Sequence, residues 1–336
     1  MDMFQSEFIK EFISKFDSKH KAALFIQDKL HLTKDGAYRR LREASAFHPN
    51  EIATLSNLLD ISLDSIIKIS DEKKSILCTY SQFDLTDPDY LSYFHRVYNA
   101  AYKSKTSKLY LVCKRFPYIY TYFAPSYVDF AVYFLLKVQI NKQIDTIDKF
   151  SIDLLNKLGG KIKQKRMFGE GFSKLYFELP SVEIINRLTI EDDLLKVKYC
   201  WDSELFESKE DALLICESIR TIVDHIKQQA ILGKKFMPGR PEEPLADYKL
   251  YLAEPVKLEH LFWAKIKADH TITIMINNSG DYLASKNERF TSQTKEYLDN
   301  LINLSSQISG ENKRDRNKLF NAMYQRLDEV IDYIKG

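Results

Sequence analysis

Thr33, Lys34, Tyr38, Arg39, Arg40 and Arg42 crowd into one short stretch, and all of them can donate hydrogen bonds to phosphate oxygens or base edges. Their chemistry is recognition by charge and hydrogen bonding. The run 157–166, KLGGKIKQKR, is also basic, but it matches no phosphate-binding loop pattern and reads as a solvated turn. Glu191, Asp192 and Asp193 form an acidic group without a partnered base, and a solvated turn is again the expectation. No HExxH, GxSxG, GxGxxG or Walker sequence occurs, and the seven histidines are dispersed. The expectation is therefore a protein that is not an enzyme, with no catalytic residues, no metal site and no cofactor.

The donors need a helix to aim them. Thr33 is placed as an N-cap for a helix through Ala37 and Leu41, whose remaining positions project Lys34, Tyr38, Arg39, Arg40 and Arg42 outward. Ile26, Leu30 and Leu32 are spaced as the apolar face of a preceding helix and its turn, and Gly36 and Ala37 permit close packing between the two. Phe4, Phe8, Phe12 and Phe16 recur every fourth residue, which predicts an amphipathic helix beneath the pair. Downstream, Asn50 is expected to cap a helix reaching Leu59, and Ile61 to Asp64 to open another short one.

This stretch, FIQDKLHLTKDGAYRRLRE from Phe25 to Glu43, resembles the helix-turn-helix of λ-repressor-like bacterial transcription regulators, with small Ala37 at the packed position and Tyr38 to Leu41 opening outward. The resemblance covers roughly the first fifth of the chain. Gln27 stands where that family has a small residue and His31 where its turn has glycine, so the packing of the two helices should differ. The resemblance implies a five-helix module that binds double-stranded DNA, with Thr33, Lys34, Tyr38, Arg39, Arg40 and Arg42 as its contacts.

Local charge agrees with that implication. From Lys10 to Arg42 nine cations face four acids, whereas from Glu43 to Glu72 Lys68 stands alone against six acids. A module split by sign in this way presents one basic face. The net charge of the whole chain, +2, carries no such information.

At 336 residues and 45% hydrophobic, the chain is long enough for substantial cores. The organisation expected is a helix-turn-helix domain over 1–70, a linker over 71–79 and an α+β sensor or oligomerisation region over 80–336. The overall class is α+β: an all-α domain followed by a larger mixed domain that ends in a C-terminal helical hairpin. Asp87 and Pro88 open a helix to about Lys105, and Leu109 to Cys113 reads as a strand. Nine aromatics between Phe116 and Phe134 suit a core, a ligand pocket or a dimer interface, and Tyr118 to Val138 is expected to be buried and largely helical. Leu175 to Leu179 and Leu195 to Trp201 alternate as strands would, Ser208 to Leu232 reads as a long helix stopped by Gly233, and the prolines of 238–244 mark a linker or exposed excursion. Leu250 to Leu252, Leu261 to Lys267 and Thr271 to Ile276 are expected strands, the last two forming a hairpin. Two helices, Thr291 to Ile308 and Arg314 to Ile334, complete the chain as an amphipathic hairpin suited to core packing or dimerisation.

Asp2, Glu7, Lys10 and Glu11 stand where a signal peptide needs an apolar run, and Cys78, Cys113, Cys200 and Cys216 show no zinc-binding spacing. Both features predict a cytoplasmic protein with reduced cysteines and no membrane segment. The functional expectation is a sequence-specific DNA-binding transcription regulator, a homodimer, whose C-terminal region senses a small-molecule effector or mediates dimerisation. The alternatives are a protein interaction module without DNA binding and an enzyme with an appended helix-turn-helix.

Overall fold

The structure, a computed structural model, describes residues 3–336 except 60, 62, 67–75, 77, 83–87, 105–106, 122, 136, 138–147, 153–173, 255, 268–269 and 278–279. The basic run 157–166 lies outside the described residues. The chain divides into two compact units, Met1–Leu77 and Cys78–Gly336. Thr79, expected in a linker, already belongs to a strand of the second unit.

The first unit is helical: α1 Met3–Ser14, α2 Lys19–Leu30, α3 Lys34–Leu41, α4 Pro49–Leu59 and α5 Leu63–Ile66. The four-residue phenylalanine spacing does what it predicts, since Phe8 and Phe12 are completely buried and Phe8 meets Phe47 edge-on with centroids 5.7 Å apart. Ala22, Ala23 and Ile26 of α2, Ala37 and Leu41 of α3, and Ile52 and Leu55 of α4 close the core around them. One expectation is corrected here: α4 starts at Pro49 rather than being capped by Asn50. Proline suits a first helical position because its missing N–H has no intrahelical acceptor there.

The second unit is mixed α+β, built on an eight-stranded sheet of order β1-β7-β6-β5-β2-β3-β4-β8. The strands are β1 Thr79–Ser81, β2 Leu109–Val112, β3 Ser181–Ile185, β4 Tyr248–Leu252, β5 His260–Lys267, β6 His270–Ile276, β7 Tyr282–Ser285 and β8 Ser306–Gln307. β2, β3 and β4 run parallel, and every other pairing is antiparallel. The helices are α6 Pro88–Lys103, α7 Tyr118–Thr121, α8 Pro125–Phe134, α9 Glu191–Asp202, α10 Lys209–Leu232, α11 Glu288–Asn303 and α12 Lys313–Lys335. Alternation along the strands sorts them onto two faces. Leu109, Leu111, Ile185 and Leu250 face the large core that includes residues of α6, α8, α9, α10 and α12, whereas Val112, Ile184 and Trp263 face Leu298 and Leu301 of α11.

That arrangement overturns the expected C-terminal helical hairpin, because α11 and α12 lie on opposite faces of the sheet. Helix α11 ends at Asn303 rather than running to Ile308, and Ser306 and Gln307 pair with β4 as the chain passes the sheet edge. The apolar stripe of α12 is consumed inside its own unit, with Leu319, Phe320, Met323 and Leu327 buried there. Three further expectations are corrected. Residues 174–177 are helical rather than a strand, and Leu195 to Trp201 belong to α9. Buried Leu194, Val197 and Cys200 recur every third residue, a helical period, and the three acids before them favour a helix N-terminus. Asp193 is buried rather than solvated, accepting a hydrogen bond from Tyr127 Oη and lying 3.4 Å from Lys196 Nζ. The aromatics between Phe116 and Phe134 serve the core: Phe116, Tyr120, Tyr127, Phe130, Tyr133 and Phe134 are all buried.

At the centre of β3 is Glu183, fully buried, which no expectation placed in a strand. Tyr120 Oη and Tyr248 Oη each donate to its carboxylate at 3.1 Å. Lys235 is also fully buried, donating to the carbonyls of Tyr176 at 2.9 Å and Leu179 at 3.0 Å, with its ammonium 3.3 Å from the Tyr176 ring centroid. Burial pushes the Glu183 carboxyl up to about 7 against the pull of Lys235 and the phenols, and burial pushes the Lys235 ammonium down to about 7. Among the described residues no helix is long and apolar enough to cross a membrane.

Candidate nucleic-acid interface

Two capped helices set the geometry. Ser18 Oγ accepts from Lys21 N at the start of α2, and Thr33 Oγ1 accepts from Gly36 N at 3.1 Å at the start of α3. Thr33 thus has its expected capping role, which uses its side-chain oxygen within the protein. A β-carbon at Gly36 would sit 3.2 Å from Thr33 Oγ1, a tight contact that the cap would have to shift by a few tenths of an ångström to accept. The turn between the helices contains His31 in the left-handed region, φ 52° and ψ 37°. Glycine adopts that conformation at least cost, so histidine here holds the turn with some strain.

On α3, Ala37 and Leu41 point into the core, Asp35 and Arg39 face away from it, and Lys34, Tyr38 and the C-cap residue Arg42 form an i, i+4, i+8 row along the flank, with Tyr38 partly packed against the core. Lys34, Arg39 and Arg42 are exposed. The Arg42 guanidinium lies 5.6 Å from the centroid of the Tyr38 ring, and the Tyr38 hydroxyl meets His20 Nδ1 at 3.0 Å. That contact brings the first turn of α2, with exposed Lys19 and His20, alongside the flanking row of α3. Lys19 and His20 were not among the expected contacts; the signal available was Ser18, whose capping type marks them as the exposed opening of a helix.

Arg40 is the exception, and the expectation that it faces outward is corrected. Its Nε and Nη2 donate to Glu51 Oε2 and Oε1, both at 3.0 Å, its Nη1 donates to Ser45 Oγ, and its guanidinium lies 5.9 Å from the Phe47 ring centroid. The side chains of Arg40 and Glu51 are only 15% and 17% exposed. A fork of this kind clamps α3 to α4 and leaves little for a ligand. Burial raises the Glu51 carboxyl, but Arg40 and the His48 amide outweigh it and hold it below the ordinary carboxylate range.

Ion pairing separates the remaining cations. Lys10, Lys15, Lys21 and Lys29 are paired with Glu7, Glu11, Asp17 and Asp28, as Arg40 is with Glu51. Among the described residues, Lys19, Lys34, Arg39 and Arg42 have no ion pair. The unpaired positive charge of this basic region therefore concentrates on the α2 N-terminus and the outer side of α3, where the helix N-termini add partial positive charge.

No family model, curated protein or solved structure matches this chain.

Proposed function

We propose that this chain is a sequence-specific DNA-binding transcription regulator, in which α2 and α3 form a helix-turn-helix and the second unit senses a ligand or mediates assembly. One observation carries the reading: four of the nine cations between Lys10 and Arg42 lack ion pairs, and these four stand on α3 and the adjoining end of α2. An α-helix with its side chains is roughly 10–12 Å across, which suits a major groove about 12 Å wide. Lys19 and Lys34, at the helix starts, suit phosphates. Tyr38, Arg39 and Arg42 suit base edges and the phosphates beside them, and Asp35 can accept from a cytosine amino group. One module reads few base pairs, so the proposed regulator acts as a homodimer on half-sites roughly 34–36 Å apart.

The test is selection of duplexes from a random pool by the full-length chain, followed by affinity measurements across a salt series. Contacts from two to four of these cations to phosphates predict a slope of log affinity against log salt of about −2 to −4 per module. Failure to enrich any sequence, or affinity insensitive to salt, would dismiss the DNA-binding reading.

A further inference from the structure

A cleft of about 510 Å³ opens at the amino-terminal edge of the three parallel strands of the second unit. Its walls include Lys108 just before β2, Ser181 at the start of β3, Asp247 and Lys249 at the start of β4, and Gln307 and Ser309 from β8 and the residues after it. We propose that this cleft binds a small metabolite through a phosphate monoester.

The charge distribution points to a dianion. Lys108 is half-buried and Lys249 exposed, and neither has an ion pair among the described residues. Asp247, an acid in the cleft wall, is taken at 2.6 Å by Lys234, which lies outside the lining, so the charges of Lys108 and Lys249 stand unopposed by a free carboxylate among the described lining residues. Burial, together with repulsion from Lys249, holds the Lys108 ammonium below its ordinary range, which is the condition an entering anion relieves. The C-terminal end of α10 at Gly233 also borders the cleft and favours cations, but the Gly233 carbonyl accepts from Tyr248 N at 3.0 Å and only a partial charge opposes the lysines.

Neutral donors complete the site. Ser309 Oγ accepts from Leu250 N at 3.1 Å, which leaves its proton free to be given to a ligand. Gln307 Oε1 accepts from Tyr251 Oη at 3.0 Å, and its Nε2, donating to the Ser309 carbonyl and Oγ at 3.4 Å, holds the Ser309 hydroxyl in the wall. Buried Arg316 fixes this segment by donating to the carbonyls of Ile308 at 3.0 Å and Gly310 at 2.6 Å. The two ammonium groups of Lys108 and Lys249 match the double negative charge of a phosphate monoester, which lysine binds as a point charge. The volume falls within the range of small-molecule sites and leaves room for the body of a metabolite.

The proposal names the effector chemistry of the regulator proposed above, and its test omits DNA so that either reading can fail alone. The full-length chain is titrated with inorganic phosphate at constant ionic strength, with sodium chloride as the balancing salt, and followed by calorimetry and thermal unfolding. Saturable binding that raises the unfolding temperature is expected, because a ligand bound only by the folded state stabilises it. Lys249→Gln, at an exposed position, should weaken binding about tenfold, and Lys108→Gln with Lys249→Gln should remove it. Lys257→Gln, on an exposed loop, should leave it unchanged. Equal stabilisation by chloride, or phosphate binding undiminished in the Lys249→Gln and double variants, would overturn the assignment.

Discussion

Replacing Arg39 and Arg40 separately should split two properties that adjacent arginines on a surface helix would normally share. Arg40→Ala removes a bidentate charge pair, a third hydrogen bond to Ser45 and a contact with Phe47, and it leaves Glu51 at 17% exposure with only the His48 amide, 2.7 Å away, in hydrogen-bonding contact. Breaking a fully buried pair costs about 3–5 kcal/mol; the residual exposure of both partners reduces that here to roughly 2–3 kcal/mol. Native-state hydrogen exchange read by mass spectrometry can localise the loss. Protection of the most stable amides in residues 3–59 should fall by about 30-fold or more, at roughly 1.4 kcal/mol per decade, while peptides of the second unit are unchanged. Arg39→Ala, at an exposed position without an ion pair, should alter the same protection by less than about 0.5 kcal/mol and weaken binding to a selected duplex by roughly 1–3 kcal/mol. If Arg40→Ala keeps full protection, or Arg39→Ala binds DNA as tightly as the parent, the division of labour on α3 is wrong.

Lys34→Gln should reduce the salt slope of DNA binding by about 1 and weaken all sequences alike, since a phosphate contact carries no base information; a change confined to one base position would contradict that role. Deleting Lys313 to Gly336 removes buried Leu319, Phe320, Met323, Leu327, Ile331 and Ile334, a loss of roughly 9–18 kcal/mol, comparable to the whole stability of a domain. Circular dichroism should show the second unit unfolded; a folded truncated chain would refute the packing of α12. Glu183, raised in the folded state, contributes stability that is lost as pH rises through about 7, whereas depressed Lys235 contributes stability that is lost as pH falls through about 7. His225 and His260, pushed down by burial to about 4 and about 3, add stability with rising pH over much of the same range, so Glu183 is read by difference: the urea midpoint of Glu183→Gln relative to the parent's should rise between pH 5 and 7, and a constant difference would remove Glu183 as a source of pH dependence.

Local codes were readable in the sequence wherever a few neighbouring residues suffice. Ser208 and Gly233 bracket α10 as expected, and Thr33 caps α3, because an N-cap oxygen and a left-handed glycine act within one turn of themselves. β3 was not readable: Glu183 interrupts its apolar run, and the phenols that make it tolerable come from residues 63 and 65 positions away. The opposite placement of α11 and α12 was hidden for a similar reason, since both are amphipathic and only the sheet between them decides which face each covers. Within the interface, the inward turn of Arg40 was partly legible, as it follows buried Ala37 by three residues and precedes buried Leu41. Its partner Glu51, across an intervening loop, was not. The contact of His20 with Tyr38, which joins α2 to the flanking row, likewise spans 18 residues.

The sheet of the second unit is bounded by its two shortest strands, β1 with three residues and β8 with two. An edge that short presents few open backbone groups to a neighbouring chain, so strand-by-strand addition gains little on either side. Growth of fibrils by edge pairing is disfavoured by the same brevity. Side chains on helices or sheet faces suit association of copies better, since a substitution there can tune the contact without disturbing the strand register.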